Sequence, residues 1–137
     1  MPQGKRTTPK MAGPEEPPAA WEGLRLSIRL DLPAGGRVGP GKVALLEAIG
    51  REGSISGGGR ALRMSYRRAW ALVEELNAAL GTALVVATTG GAGGGGARLT
   101  PAGAALVAGY REIERQATAL AARQMAAVAL DANAPKA

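Results

Sequence analysis

One stretch constrains this chain more than any other: Ser54-Ile55-Ser56-Gly57-Gly58-Gly59-Arg60-Ala61-Leu62-Arg63-Met64-Ser65-Tyr66-Arg67-Arg68-Ala69-Trp70. Ser54 or Ser56 can cap a short helix by accepting hydrogen bonds from its free amides. That helix would end near Leu62, with Ile55 and Leu62 facing a core and Gly58 between them small enough for a second helix to cross closely. Arg63, Met64 and Ser65 read as a turn, Met64 pointing inward and Ser65 capping a longer helix that runs to Leu80 and stops at Gly81. Two helices joined in this way form a helix-turn-helix.

At about 100° per residue, Ala69, Leu72, Val73, Leu76 and Leu80 fall on one side of the longer helix, with Tyr66 at the edge of that stripe. Arg67, Ala71, Glu74 and Ala78 point the other way, and Arg68 and Trp70 lie on opposite flanks. The exposed N-terminal end is the part suited to enter a DNA major groove. Arg67 is the first candidate for a bidentate contact to guanine. Ser65 and Tyr66 can donate to phosphates or base edges, and Arg60, Arg63 and Arg68 can neutralise phosphates. Ser54, Ser56 and Arg98 complete the expected DNA-binding set. Arg51, Arg60, Arg63, Arg67 and Arg68 face only Glu52 in this part of the sequence. A flanking Trp70 is expected to anchor the core or an interface rather than read bases. Glu74 and Glu75 are expected to be solvated, or to limit how deeply the helix sits.

Around this motif, 137 residues suffice for one domain with its own core. The chain has 17 Lys and Arg against 11 Asp and Glu, which favours a polyanionic partner. It has no Cys and no His, so Cys/His zinc sites, thiol nucleophiles and histidine acid–base catalysis are excluded from it. No nucleophile and base stand together, so a non-enzyme without cofactor or metal is expected. No signal-type or membrane-spanning run is visible, and a cytoplasmic protein is expected. Phe is absent, leaving a core of Leu, Val, Ile and Ala that suits packed helices.

Residues 1–20 are rich in Pro and lack periodicity, so a disordered basic arm with Lys5, Arg6 and Lys10 is expected. Leu24–Leu30 alternates apolar and polar residues, the pattern of a strand, ending by Pro33 with Gly35-Gly36 as a turn. A helix is expected over Pro40–Arg51, on Val43, Leu45, Leu46 and Ile49, closed by Gly53. Leu84–Thr88 and Ala97–Leu99 read as two strands joined by glycine-rich residues 90–96, which makes a wing. Thr100-Pro101 then opens a long helix to about Ala127, followed by a frayed tail over 128–137. The expected architecture is mainly α with a small β wing: a winged helix-turn-helix over 21–127 with a long C-terminal dimerisation helix.

These residues resemble the N-terminal DNA-binding domain of the ModE-type molybdate-responsive regulators, over roughly 22–127. The resemblance is carried by Gly53-Ser54-Ile55-Ser56, by Met64-Ser65-Tyr66-Arg67-Arg68-Ala69-Trp70, by Glu75-Leu76-Asn77, and by the run from Thr89 through the glycines to Leu99-Thr100-Pro101-Ala102-Gly103. LysR-type domains share only the general pattern. The resemblance implies a homodimer on double-stranded DNA, a recognition helix carrying Ser65, Tyr66, Arg67 and Arg68, and a wing that approaches DNA through Gly91, Ala92, Gly93 and Gly94. Three departures stand out. Gly57 and Gly59 replace better helix formers, each at about 1 kcal/mol relative to Ala. Arg63 takes a turn position where a left-handed Gly is common. Ala92 replaces a basic residue found in some relatives, leaving Arg98 as the nearest cation. The sequence ends soon after its long helix, so a reader without a molybdate-sensing domain is expected.

Gly91, Gly93 and Gly96 satisfy G-x-G-x-x-G, but no helix follows directly, which argues against a dinucleotide site. A flexible wing is the better reading, with a backbone nest for a phosphate or small oxyanion as the other. In the last helix, Leu106, Tyr110, Ile113, Ala117 and Leu120 repeat as a short heptad seam. This seam suits dimerisation, or packing on its own domain. Two functions follow: a sequence-specific dimeric regulator, or an interaction module that pairs with a full-length ModE-type relative and binds DNA weakly or not at all alone.

Overall fold

The computed structural model describes residues 19–89, 95–131 and 133–137, so the expected basic arm and the wing-tip residues Gly91, Ala92, Gly93 and Gly94 lie outside the described residues. The chain divides into two compact units. One is Leu26–Ala117. The other joins Met1–Arg25 to Thr118–Ala137, and its described part holds a single 3₁₀ turn at Ala19–Trp21 and the last turns of the long helix.

Within Leu26–Ala117 the order is β1 (Leu30–Asp31), β2 (Arg37–Val38), α1 (Pro40–Glu52), α2 (Ile55–Ala61), α3 (Tyr66–Leu80), β3 (Val85–Thr88) and β4 (Gly96–Leu99). The long helix α4 (Pro101–Ala126) begins in this unit and continues beyond it. The expected winged helix-turn-helix, mainly α with one small wing, is the fold observed.

The first strand differs from expectation. Only Leu30–Asp31 is a strand, paired antiparallel with Arg37–Val38 through Leu30↔Val38 and Asp31↔Arg37. Leu26 and Ile28 are half-buried while Ser27 and Arg29 are exposed, so the alternation read in the sequence survives as burial. No ladder runs along residues 26–29, because β2 offers only two partners. The Arg37–Val38 strand itself was not anticipated.

The helix limits follow from their caps. The Ser54 hydroxyl accepts from Gly57 N at 2.9 Å, the Ser65 hydroxyl from Arg68 N at 3.1 Å and the Thr100 hydroxyl from Gly103 N at 3.0 Å. Each satisfies an amide that the first helical turn leaves free. Gly53 and Gly81 end α1 and α3 in the left-handed conformation, at φ 75° and 66°.

Val43, Leu45, Leu46 and Ile49 of α1, Ala69, Leu72, Val73 and Leu76 of α3, and Val38, Leu84, Val85 and Ala97 of the strands form the buried core. Tyr110 of α4 joins them at 1% exposure, its hydroxyl donating to Ile28 O at 2.6 Å. Burial raises its pKa above the usual tyrosine value, with the Glu114 carboxylate adding to the effect. Leu106 and Val107 pack against the same cluster. The expected heptad seam is therefore divided: Leu106 and Tyr110 belong to the chain's own core, whereas Ile113 and Leu120 are 44% and 49% exposed and Ala117 is half-buried.

The crossing of α2 also differs in detail. A Cβ on Gly58 would lie 2.6 Å from Ile49 Cγ1 and 2.9 Å from Ile49 N, so Gly58 meets α1. It is Gly59 that meets α3, where a Cβ would lie 2.9 Å from that of Ala69 and 3.3 Å from Met64 O. Gly59, a poor helix former on propensity alone, is thus demanded by packing.

Arg111 ties α4 to α1. Its Nη2 donates to Glu47 Oε1 at 2.6 Å and its Nε to Oε2 at 3.2 Å, while Nη1 reaches Glu114 at 2.6 Å. The Arg111 hydrogen bonds hold the Glu47 carboxyl below the usual carboxylate range, against a smaller opposing effect of burial. A lowered folded-state pKa means that the unfolded chain binds more protons in acid. The stabilisation is complete above the ordinary glutamate pKa and is lost as pH falls through the lowered value.

Two predictions follow from this packing. Gly58→Ala is expected to lower stability by about 1–3 kcal/mol through overpacking, whereas Gly109→Ala, where nothing lies within 4 Å, is expected to raise it by up to about 1 kcal/mol. Urea unfolding of both variants checks the pair. Glu47→Gln is expected to flatten the fall in stability between neutral and acid pH, by at most about 1 kcal/mol because the pair is roughly one-third exposed. Unfolding midpoints measured along a pH series check it.

Candidate nucleic-acid interface

The turn between α2 and α3 is tight. Leu62 N and Met64 N both donate to Gly59 O, at 3.0 and 2.9 Å, and Arg63 N donates to Arg60 O at 3.1 Å. To close it, Arg63 takes φ 58°, the left-handed conformation expected at this position. Met64 packs inward against the core cluster. Ser65 then caps α3 and presents Tyr66, Arg67 and Arg68 on its first turn.

The buried residues of α3 leave its opposite face outward, and Arg67, Glu74 and Ala78 are exposed there. Arg68 and Trp70 occupy opposite flanks, as read from the sequence. Arg68 lines a cleft with Arg29 just before β1, Asp31 and Arg37 of the β1–β2 ribbon and Lys42 at the start of α1. Lys42 Nζ donates to Arg37 O at 2.9 Å and pairs with Glu75 at 3.4 Å, and Arg29 pairs with Asp31 at 2.9 Å. Sequence reasoning missed Arg29, Arg37 and Lys42 because the ribbon that gathers them is only two residues wide. The alternation around Arg29 was its one visible signal.

On the other flank, Tyr66, Trp70 and Glu74 line a cleft with Ile55 and Ser56 of α2 and with Val85, Ala87, Gly96 and Ala97 of the wing. Tyr66 is 58% exposed and Trp70 48%. Of the two anchoring roles expected for Trp70, core or interface, its exposure rules out the core. Ala69, Leu72, Val73 and Leu76 already fill the inward face of α3, and the indole is left outside it.

Backbone and side-chain hydrogen bonds set the wing beside α3. Ala97 N donates to Gly53 O at 2.8 Å, joining β4 to the α1–α2 turn. Leu84 N donates to Asn77 Oδ1 at 2.9 Å, and the Thr100 hydroxyl donates to Ala83 O at 2.7 Å. β3 and β4 pair over Val85↔Leu99, Val86↔Arg98, Ala87↔Ala97 and Thr88↔Gly96. Arg98 thus shares a face of the hairpin with Val86, opposite the face that Ala87 and Ala97 turn to the cleft.

Of the expected contact residues, Ser56, Arg60, Arg63, Ser65, Tyr66, Arg67, Arg68 and Arg98 are exposed. Ser54 is half-buried, and its oxygen is occupied as the α2 cap. Ser54 and Ser65 each keep their O–H free to donate. Among the described residues, Arg60, Arg63, Arg67, Arg68 and Arg98 form no ion pair within 4.0 Å.

A capped helix presenting arginines outward, packed on a second short helix and flanked by a two-stranded wing, defines a DNA-binding helix-turn-helix of the winged class. Residues 41–104 match the family described as bacterial regulatory helix-turn-helix proteins, lysR family. The chain is 48% identical over 80 residues to the molybdenum-pterin-binding protein MopB of Rhodobacter capsulatus, covering 58% of this chain and 30% of that protein. It is 40% identical over 87 residues to the molybdenum transport protein ModE of Azotobacter vinelandii, covering 64% and 32%. To the transcriptional regulator ModE of Yersinia pestis it is 42% identical over 71 residues, covering 52% and 27%. The chain thus spans about a third of the length of the curated relatives it matches. The family is one of regulators, in line with the expectation of a non-enzyme. No helix among the described residues is long and apolar enough to cross a membrane.

Arg63 separates stability from affinity. Arg63→Gly is expected to stabilise the fold by roughly 1 kcal/mol by removing the left-handed strain, while weakening DNA binding on all sequences alike through loss of one cation. Thermal unfolding together with binding to two unrelated duplexes checks both halves.

Proposed function

We propose that this chain is a sequence-specific regulator that binds double-stranded DNA as a homodimer, with α3 in the major groove. The observation that carries this reading is the outward N-terminal end of α3, where the Ser65 cap presents Arg67 between two flanks of the helix. An arginine so placed suits the O6 and N7 acceptors of guanine. Arg60, Arg63 and Arg68 are exposed on the same two helices and serve the phosphates, and Arg98 does so from the wing. The names of the Rhodobacter MopB and Azotobacter ModE proteins tie them to molybdenum, and we assign this chain to the same regulatory setting. Ile113 and, further along α4, Leu120 are exposed apolar residues in heptad spacing with the buried Tyr110, which supports α4 as the dimer contact.

Selection of bound duplexes from a random pool at stated salt is expected to yield a two-fold symmetric site. Arg67→Ala should then narrow the gap between selected and random DNA by about 1–3 kcal/mol. Arg98→Ala should weaken both equally and lower the slope of log affinity against log salt by about 1. Equal losses for Arg67→Ala on both DNAs would count against it as the base reader. Ile113→Lys is expected to shift the chain towards monomer in sedimentation. A chain that binds DNA only when mixed with a full-length relative would instead favour the interaction-module reading.

A further inference from the structure

We propose that Trp70 reads thymine: its indole, with Tyr66 beside it, packs against the 5-methyl group of a thymine in the major groove, next to the guanine engaged by Arg67. This rests on the DNA-binding reading above and adds a specificity-determining contact to it.

The placement is set by the helix itself. The buried residues of α3 centre on Leu76 and Ala69, and Trp70 lies about 60° around the axis from Arg67, on the outward side. Trp70 is 48% exposed and Tyr66, one turn earlier, is 58% exposed. These are two of the chain's four aromatic side chains, and both stand out of the core on a helix otherwise well supplied with apolar contacts. Exposed aromatic surface of this kind marks a contact site.

The surroundings select the occupant. Ile55, Val73, Val85, Ala87 and Ala97 give the cleft an apolar wall beside its polar groups, Ser56 and Glu74, and that one carboxylate disfavours a phosphate there. The cations Arg60, Arg63, Arg67 and Arg68 are exposed on the same two helices and complement the polyanion as a whole. Inside the cleft, therefore, a base edge is favoured over the backbone. Among the groups that base pairs present in the major groove, the thymine methyl is the apolar one. The indole face meets it without leaving a polar group unpaired, since the ring has only one donor, at its edge.

The test uses the full chain and duplexes selected from a random pool, in which single thymines are replaced by deoxyuridine so that only the methyl is lost. For the wild-type protein, one position per half-site is expected to lose about fourfold in affinity, the factor that corresponds to one buried methyl-sized group. Trp70→Ala is expected to bind the thymine duplex more weakly and to show no difference between thymine and uracil at that position. Trp70→Phe should keep part of the difference. Thermal unfolding confirms that the variants are folded. Wild-type binding that ignores every thymine methyl overturns the proposal, as does a Trp70→Ala protein with the wild-type thymine-to-uracil ratio. Either result leaves DNA binding itself intact, whereas failure of the wild type to bind any duplex overturns both readings.

Discussion

The structure depends on how closely α2 can lie between its neighbours. Gly58 brings it against the backbone of α1 at Ile49, and Gly59 brings it against Ala69 of α3, with no room for a methyl group at either position. Two successive helical residues that face two different helices can both be filled only by the smallest side chain. The helix accepts the loss of intrinsic propensity that this implies, and its Ser54 cap and flanking Ile55 and Leu62 contacts offset it. Because Gly59 also receives two amides of the turn at its carbonyl, the same crossing dictates the left-handed backbone of Arg63 and the direction in which α3 departs.

A second set of constraints is polar. Gly53 O, Asn77 Oδ1 and the Thr100 hydroxyl each hold one end of the wing, so the wall it presents to α3 is fixed from the α1–α2 turn, from the end of α3 and from the start of α4. The residues that carry the ModE resemblance thus divide by task. Asn77, Thr100 and the inward Met64 build the frame, while Tyr66, Arg67, Arg68 and Trp70 stand on its outside. A motif match of this kind reports both at once, and only geometry separates them.

Much of this was legible in the residues. The starts of α2 and α3 followed from Ser54 and Ser65, the ends of α1 and α3 from Gly53 and Gly81, and the core stripe of α3 from its period. The strain at Arg63 was visible as a charged residue where glycine is common. What could not be read were features decided by contacts between segments. A two-residue strand such as Arg37–Val38 carries no periodicity, and the alternation at Leu26–Leu30 describes burial whether or not a partner strand lies alongside. Which neighbour each glycine of α2 meets depends on the placement of α1. Whether the flanking Trp70 would anchor the core or an interface could not be read either, since only the packing of Ala69 and Leu72 shows that the inward directions are taken. In α4, one heptad stripe serves two environments because the core ends partway along it.

That point on α4 also sets an order of assembly. The hydrogen bond from Tyr110 to Ile28 joins residues 82 apart in sequence. The segment around Ile28 therefore cannot take its final place until almost the whole of the compact unit exists, although it is the first part of that unit to be made. Contacts of this separation form late, since the chain must lose the freedom of the intervening loop before they reward it. The helix-turn-helix, built from α1, α2 and α3 in immediate succession, can assemble from local contacts before then. Its last stabilising contact comes from a tyrosine outside the motif, so a chain interrupted before α4 would hold its reading helices on an unclosed core.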